Sequence, residues 1–348
     1  MTKDLKNKTL SELEKIIAGL GSQKYLAKYI FSFIHTKNVN DINQITPLSK
    51  ILREKLLSDG YFISQIKIAD KLIDSDGTAK YLFELSDASR IESVLLPSSQ
   101  RQTVCISTQV GCAMNCVFCA TGKVKFERNL TAAEIVDQFN AITKDCGEKI
   151  TNVVYMGMGE PLNNYDALLK AIRILNEPNG KNIGVRRQTI STCGQIDGIK
   201  RLAQENIFPR LAVSLNASTD KVRSKLMPVN LKYPISNVMH AVKFYQSNTK
   251  ARVTFEYVML KGLNDSIQDA RRLAELLKGL ICNINLIEYN PHPNCELKGT
   301  EPAEIKRFGA VLEKSGFETS IRFKMGRKIK AACGQLGAGG FVKSDDSQ

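Results

Sequence analysis

Apolar residues recur at helical spacing through the first part of the chain. Thr9 and Glu12 have the spacing of a capping box, and an apolar helical series follows them. A second series covers residues 25–34. A third begins at Pro47, a residue type that is favoured in the first turn of a helix. The pattern predicts a small helical N-terminal domain over residues 1–60.

After this region the pattern changes to that of strands. Residues 61–100 predict a β-rich connecting segment, and residues 101–340 alternate between strand and helix signals. The helix signals include Thr131 with Glu134, a second capping box, and Gly147 as a stop. The strand signals include "RQTVCIST", "TNVVYMGMG", "RLAVSLNAS", "ARVTFEYVML" and "TSIRFKMG". Repeated strand–helix units predict a parallel sheet with helical cover, either open or closed into a barrel.

Several predicted strands end in polar or glycine-rich tips. Ligand sites in parallel sheets and barrels lie at the carboxyl ends of the strands. We therefore expect these tips to converge on one binding pocket. The residues concerned are Gly159, Glu160, Ser191, Ser214, Leu215, Asn216 and Asn290.

The charge balance indicates a polyanionic partner. Forty-nine Lys and Arg against 35 Asp and Glu give a net charge of +14, which favours nucleic acid. Solvated surface charge is the alternative explanation. In the first case residues 1–60 form a nucleic-acid docking domain, and in the second they only cap the next core.

No membrane segment is expected. The sequence contains no apolar run of about 18 residues, the length that would suggest a span. The first residues, "MTKDLKNKTLSELEK", lack the apolar core of a signal peptide. We therefore expect a cytoplasmic protein.

Three of the nine cysteines are clustered in "GCAMNCVFCATG". Cys112, Cys116 and Cys119 have the spacing Cys-x3-Cys-x2-Cys, with no adjacent fourth ligand. A structural zinc site is closed by four ligands, so three thiolates are incomplete unless Cys105 joins them. A four-iron cluster on three thiolates keeps one iron open, as catalysis requires. Cys146, Cys193, Cys282 and Cys295 have no metal-ligand spacing, and burial as small hydrophobic residues is the default expectation for them.

The cysteine spacing, with Phe118 before the last cysteine, resembles the radical S-adenosylmethionine (SAM) superfamily. This resemblance implies a [4Fe-4S] cluster held by Cys112, Cys116 and Cys119. It also implies that the open iron binds SAM, whose cleavage gives a 5′-deoxyadenosyl radical. The segment "GMGEP" is similar to the loop that binds the SAM amino group, with Glu160 accepting from the ammonium.

Longer motifs resemble the RlmN/Cfr family of RNA adenine methyltransferases. They are "GMGEPLNN", "RSKLMPVN", "GLNDS", "NLIEYNP" and "AACGQL", and the match runs over residues 90–337. The resemblance implies an α/β fold, an incomplete (β/α)6 TIM-like barrel with a small helical N-terminal domain. It implies methylation of C2 of adenine in 23S ribosomal RNA and in tRNA next to the anticodon. Pro161 and Leu162 resemble this C2 branch, and C8 methylation is the alternative. A zinc-bound RNA-binding module is a further alternative, but it leaves "AACGQL" unexplained.

The resemblance also implies why a radical is needed and which residues act. C2 of adenine is not a nucleophile, so it cannot displace the methyl group of SAM directly. Cys333 is expected to take a methyl group from one SAM by displacement. A second SAM then makes that carbon reactive toward C2. Cys105 is expected to attack the bridging sulfur, forming a transient disulfide. Glu92 matches the general base of the family.

The same resemblance implies the partners. They are 23S rRNA, tRNA and an electron donor such as flavodoxin or ferredoxin, and the chain is expected to be a monomer. Two features depart from the family pattern. Asn216 in "SLNA" stands where the family usually has His, and the segment "GRKIK" before "AACGQL" is basic where the family often has an acidic residue.

Overall fold

The fold was analysed in a computed structural model of the 348-residue chain. The structure describes residues 3–98, 101–292, 295–322, 326 and 328–337. Residues 338–340, the end of the predicted core, lie outside the described residues, as do residues 323–325 of the last strand signal. Within the described residues, no helix has the length and apolar character needed to cross a membrane.

The helices and strands occur largely where the apolar pattern predicts them. The helices are α1 (Leu10–Gly19), α2 (Leu26–His35), α3 (Lys50–Ser58), α4 (Ala132–Cys146), α5 (Tyr165–Asn176), α6 (Ile196–Leu202), α7 (Asp220–Leu226), α8 (Ile235–Thr249), α9 (Ile267–Leu277) and α10 (Pro302–Lys314). The strands are β1 (Lys67–Ile73), β2 (Ala79–Glu84), β3 (Arg90–Ser98), β4 (Arg101–Cys105), β5 (Gln109–Val110), β6 (Arg128–Asn129), β7 (Asn152–Tyr155), β8 (Gln188–Thr192), β9 (Arg210–Ser214), β10 (Val253–Met259), β11 (Cys282–Glu288) and β12 (Glu318–Arg322).

Ten of these strands form one sheet in the order β1-β2-β3-β4-β7-β8-β9-β10-β11-β12. Strands β1 to β4 pair antiparallel, whereas every pairing from β4 through β7 to β12 is parallel. The helices alternate with the parallel strands, which gives six strand–helix units followed by β12. The linear order places β1 and β12 at opposite edges, so the barrel is open. The predicted incomplete (β/α)6 architecture is confirmed.

The helix ends follow local capping chemistry. At α4 the Thr131 side chain accepts from the Glu134 N–H, and the Glu134 side chain accepts in return from the Thr131 N–H. Gly147 ends this helix in the left-handed conformation at φ 67°. The predicted start of α3 at Pro47 is wrong. Ser49 caps that helix, because its hydroxyl accepts from the Leu52 N–H at 3.2 Å.

The N-terminal helices are anchored to the barrel helix α4. Lys6 Nζ lies 2.7 Å from Asp137 Oδ1, and both side chains are buried. Asp137 Oδ2 also accepts from the Ile66 N–H at 2.8 Å. The Ala133 N–H donates to Asn7 Oδ1 at 3.1 Å. A buried ion pair stabilises little by itself, but its geometry fixes how the two segments meet.

One buried histidine makes the stability of this module depend on pH. His35 in α2 is fully buried against Phe31, with ring centroids 4.4 Å apart. Neither ring nitrogen has a hydrogen-bond partner among the described residues. Burial, assisted by the charges of Lys6 and Lys181, lowers the pKa of His35 to about 3. The folded protein therefore keeps His35 neutral at pH values where the unfolded chain binds a proton.

We predict that acidification between pH 7.5 and 5.5 destabilises the protein through this residue. In the unfolded chain His35 has its ordinary pKa of 6.5, so the free energy of unfolding decreases as the pH falls below that value. The decrease that is due to His35 ends below the folded-state pKa of about 3. Over this interval the loss is about 1.4 kcal/mol. His35→Leu should remove this part of the loss, as measured by denaturant midpoints at both pH values. His240→Leu, which changes an exposed histidine, is the control. Equal pH dependence in wild type and His35→Leu would contradict the assignment.

Candidate functional site

The carboxyl ends of the parallel strands surround a cavity of about 160 Å³. Its wall contains residues from the loop after β4, from the tips of β7, β8, β9, β10 and β11, and from the segment after β12. The predicted site residues in this wall are Cys112, Cys116, Cys119, Gly159, Glu160, Ser191, Ser214, Asn216, Asn290 and Cys333. The structure therefore brings together residues that lie more than 200 positions apart in the sequence.

The three clustered cysteines lie on a tightly wound loop. The Cys119 N–H donates to the Cys116 carbonyl at 3.2 Å, and Asn115 between Cys112 and Cys116 is left-handed at φ 52°. Asn is one of the few residue types that adopt this conformation readily. The Val117 N–H donates to the Leu226 carbonyl at 2.9 Å, which ties the loop to α7.

Burial raises the pKa of all three clustered thiols. Burial raises the pKa of Cys112 to about 12, raises that of Cys119, and raises that of Cys116 well above its ordinary value. Such thiols stay protonated at neutral pH unless a metal stabilises the thiolates. Three of them at one end of a cavity are a donor set that suits a cluster.

The arrangement does not suit a single zinc ion. Within the described residues, no group of three or more His, Cys, Asp or Glu has a geometry that could hold one metal ion. Cys105, the fourth ligand of the zinc alternative, lines a different cavity. In a cluster each thiolate binds a different iron, so the three sulfurs need not converge on one point. The donor set therefore fits a cluster better than mononuclear zinc.

The loop after β7 approaches the barrel so closely that only glycine fits. Gly159 has φ 100°, and a Cβ atom there would lie 2.5 Å from Gln109 Cβ. Gln109 Oε1 accepts from the Glu160 N–H at 2.8 Å. Ser107 Oγ accepts from the Met158 N–H at 2.8 Å. These contacts fix the loop beside the cysteines.

Glu160 follows this glycine and is buried. Its Oε1 accepts from the Leu162 N–H at 3.1 Å, and its Oε2 accepts from the Cys193 N–H at 2.8 Å. Burial raises the pKa of its carboxyl group, and these hydrogen bonds oppose the shift. Glu160 thus joins the tips of β7 and β8 in the cavity wall. The predicted contact with a SAM ammonium stays a prediction.

Sequence reasoning missed Glu256, which lies in the middle of β10. Its Oε2 accepts from the hydroxyls of Ser191 at 3.1 Å and Ser214 at 3.4 Å. Burial raises the pKa of this carboxyl group. Its side chain lines both the first cavity and a second one beside it. The available signal was a single acidic residue within an otherwise apolar strand, "VTFEYVM".

Arg223 was also missed, although it begins the motif "RSKLMPVN". This α7 side chain is fully buried, and its guanidinium donates to the carbonyls of Cys193 at 2.6 Å and Leu215 at 3.1 Å. It also donates to Asn230 Oδ1 at 2.8 Å and to the Tyr233 carbonyl at 3.1 Å. Arg223 therefore joins the tips of β8 and β9 to the segment after α7.

Two predicted residues at the β9 tip have structural contacts. Asn216 is left-handed at φ 58°, and its Oδ1 accepts from the Val258 N–H at 2.9 Å. The conformation suits Asn, which accounts for its presence in "SLNA". Leu215 is fully buried and is not part of the wall of the first cavity.

Cys105 and Cys333 line the second cavity, of about 130 Å³. The first cavity adjoins it and shares Met156, Glu256 and Cys333 with it. Burial, followed by the negative charge of a Cys333 thiolate, raises the pKa of Cys105. Cys333 as a whole residue is exposed. Burial of its thiol group by the surrounding protein nevertheless raises the pKa of that thiol to about 11. The two predicted relay cysteines thus face one space next to the clustered cysteines.

The segment that carries Cys333 is held from several sides. The Ala120 N–H donates to the Gly334 carbonyl at 2.7 Å, which joins the segment to the cysteine loop. Asn290 Nδ2 donates to the Cys333 carbonyl at 3.2 Å. The preceding basic stretch is bound by the β1–β2 turn, where the Lys328 N–H donates to Asp74 Oδ2 at 3.0 Å.

Glu92, the expected general base, lies on β3 and is buried. Its Oε2 lies 2.9 Å from Lys80 Nζ and accepts from the Gly337 N–H at 2.9 Å. Glu92 therefore holds the end of the Cys333 segment. It is not in the wall of either cavity described above.

Comparisons with known proteins agree with this geometry. Residues 3–60 match the ribosomal RNA large subunit methyltransferase N-terminal domain, and residues 106–275 match the radical SAM superfamily. A radical SAM methyltransferase from Sphaerobacter thermophilus is similar in structure, with TM-score 0.90 and 42% identity over 97% of this chain and 99% of that one.

Similar curated proteins include two named "Probable dual-specificity RNA methyltransferase RlmN". The one from Alkaliphilus oremlandii is 45% identical over 334 residues, and the one from Thermotoga petrophila is 47% identical over 335 residues. Each alignment covers 96% of this chain and 97% of the relative. Membership of the superfamily implies a [4Fe-4S] cluster and SAM as cofactors. Because relatives of this identity align over nearly the whole chain, the chain belongs to the RlmN family of radical SAM RNA methyltransferases.

Proposed function

We propose that this enzyme methylates C2 of an adenine in 23S rRNA and of the adenine next to the anticodon in tRNA. The observation that best supports this proposal is the shared cavity of Cys105 and Cys333, which adjoins the cavity of the three clustered cysteines. A methyltransferase that acts on a nucleophilic atom has no need for two facing thiols. A carbon that cannot attack SAM requires a carrier, and Cys333 is placed to be that carrier.

The cofactors are expected to bind in the first cavity. Cys112, Cys116 and Cys119 would hold the cluster, and the polar tips with Glu160, Ser191 and Ser214 would bind SAM. When bound, the cluster and SAM supply a transferable methyl group and the one-electron chemistry that makes a methyl C–H bond reactive. We infer two SAM molecules per turnover, because one donates the carbon and the other activates it.

In this proposal the chain's own thiols carry the carbon. The Cys333 thiol loses its proton to solvent, and the thiolate takes the methyl group from SAM. The new bond makes Cys333 a thioether, the methyl–sulfonium bond breaks, and S-adenosylhomocysteine leaves. The methyl carbon bonds to C2 after losing one hydrogen atom, which the radical derived from the second SAM would accept. The adduct then loses one electron, which the bound cluster would accept, and the C2 proton, which we propose that Glu92 accepts. The Cys105 thiolate then attacks the Cys333 sulfur. The S–S bond forms, and the electron pair of the broken C–S bond passes to the carbon, which takes up a proton. A thiol reductant then reduces the disulfide and restores both thiols.

Glu92 lies outside the walls of both cavities and already has structural partners. Lys80 offsets its buried charge, and the Gly337 N–H fixes its Oε2. If Glu92 only holds the Cys333 segment, Glu92→Gln should retain activity, because an amide oxygen also accepts from an N–H.

The choice of C2 over C8 rests on Pro161 and Leu162, which resemble the C2 branch and form the turn after Glu160. The net charge of +14 suits an RNA substrate. We propose residues 1–60 as an RNA-docking domain, 61–100 as a connecting β segment and 101–340 as the catalytic core. A cytoplasmic location, a monomeric state and flavodoxin or ferredoxin as the electron donor complete the proposal.

Replacing any one of Cys112, Cys116 or Cys119 with Ala should abolish the cluster. Anaerobically reconstituted wild type should contain about four irons per chain, because three thiolates suit a site-differentiated cluster. The variants should lose the iron and the cleavage of SAM, as measured by iron analysis and by deoxyadenosine formation. Cys282→Ala, at the amino end of β11, is the matched control and should retain both. A chain that holds one tight zinc and no iron would contradict the assignment.

Variants that lack one of the two relay cysteines should fail at different steps of the reaction. Cys333→Ala should form neither S-methylcysteine nor a bond to RNA, because the carbon carrier is absent. Cys105→Ala should still accept the methyl group and add it to adenine. It then lacks the thiol that releases the product, so a covalent protein–RNA adduct through Cys333 should accumulate. Denaturing gels with labelled RNA would show this adduct as a shifted band that nuclease removes.

The double variant Cys105→Ala/Cys333→Ala is the control for the adduct and should give no shifted band. Cys146→Ala, outside both cavities, should behave like wild type. Free methylated RNA from Cys105→Ala at the wild-type rate, with no adduct, would show that the two-cysteine route is wrong for this enzyme.

A further inference from the structure

A stretch of the N-terminal helices carries only positive formal charge. From residue 15 to residue 40 the sequence contains four lysines and no Asp or Glu. No acidic residue occurs between Glu14 and Asp41, so this segment has a local formal charge of +4 in a chain that contains 35 acidic residues. Lys15, Lys24, Lys28 and Lys37 are all exposed. Such a region attracts a polyanion.

Helix α2 crosses this stretch and has two different faces. Its inner face buries Ile30, Phe31 and Ile34. Its outer face begins at the cap residue Tyr25 and exposes Tyr25 and Tyr29, 56% and 42% accessible, one helical turn apart. Their ring centroids lie 6.3 Å apart with an interplanar angle of 78°. The two neighbouring rings together form an exposed aromatic surface at this end of the helix.

The lysines and the tyrosines share this outer face. Lys24 and Lys28 precede the two tyrosines directly in the sequence, and all four side chains are exposed. Proteins bind single-stranded nucleic acid with aromatic rings, on which the bases stack, and with cationic side chains, which lie near the phosphates. A duplex does not offer the faces of its bases, because they are already stacked within the helix.

We propose that Lys24, Tyr25, Lys28 and Tyr29, here called the tyrosine face, bind unpaired bases of the RNA substrate. The two rings stack on bases, and the two lysines contact the adjoining phosphates. The inference rests on the proposed RNA substrate and adds how that RNA is held away from the catalytic cavities. Stacking does not read base edges, so the tyrosine face tolerates different sequences and suits an enzyme that acts on more than one RNA.

The test uses full-length, cluster-loaded enzyme and a 23S rRNA hairpin that contains an unpaired loop. Tyr25→Ala and Tyr29→Ala should each weaken binding about tenfold, a typical effect of removing one base–ring stack. Tyr25→Phe and Tyr29→Phe should bind within about twofold of wild type, because the ring remains. A fully paired duplex of equal length should bind wild type and the Ala variants equally.

Two further variants separate stacking from charge and from general surface effects. For Lys24→Ala/Lys28→Ala, the logarithm of the binding constant should fall less steeply with the logarithm of the salt concentration. The slope should decrease in magnitude by about one for each lysine–phosphate interaction that is removed. Ile281→Ala removes an apolar side chain that is 58% exposed at the amino end of β11, and it should have no effect on binding. Because all these residues are exposed, the variants should fold, and matching thermal transitions would verify this.

The outcomes distinguish this inference from the proposed function. One outcome is that the wild type methylates the hairpin and both Ala variants bind it as tightly as the wild type does. This outcome would overturn the tyrosine face and leave the proposed function intact. A loss of affinity confined to the lysine variants would also overturn stacking. Wild type that neither binds nor methylates this RNA or a tRNA would overturn the proposed function first. If Tyr25→Ala and Tyr29→Ala bind RNA normally but no longer bind a protein partner, the tyrosine face is a protein interface and the inference is wrong.

Discussion

The buried guanidinium of Arg223 is the contact on which the geometry of the site depends. One side chain donates to the carbonyls after β8 and β9, and it also fixes the turn that follows its own helix. The Leu226 carbonyl of the same helix accepts from the Val117 N–H of the cysteine loop. Burial raises the pKa of the Cys116 thiol, and the Arg223 charge opposes that rise. Arg223 thus acts on both the shape and the charge of the cavity.

The second constraint is the return of the chain after β12. The segment with Cys333 lies between the cysteine loop, which bonds Gly334, and the β11 tip, which bonds Cys333 itself. Glu92 holds its far end at Gly337. Cys105 is fixed by its place in β4, next to the parallel strand β7. In the proposed reaction, the carbon passes from the Cys333 thiol to the base, and the Cys105 thiol then releases it. Both thiols must therefore be held in fixed positions.

Local sequence patterns predicted the parts of the fold that depend on local chemistry. The strand–helix alternation predicted a parallel sheet with helical cover, the capping boxes predicted two helix starts, and the family resemblance implied the six-unit barrel. The cysteine spacing marked the loop that carries the three clustered thiols, whose binding of a cluster stays a prediction. The start of α3 was misplaced because Ser49, not Pro47, supplies the hydroxyl that caps it. Glu256 and Arg223 were missed because their roles depend on partners from other strands. Buried polar groups with distant partners have no periodic signal, so the sequence shows them only as single charges in apolar surroundings.

The most direct test of the central claim is nucleoside mass spectrometry of 23S rRNA and tRNA from a strain that lacks this gene. Chromatographic standards separate 2-methyladenosine from 8-methyladenosine, which have equal mass. We predict that 2-methyladenosine disappears from both RNAs and returns on complementation with the wild-type chain but not with Cys333→Ala. Unchanged 2-methyladenosine, or loss of 8-methyladenosine in its place, would contradict it.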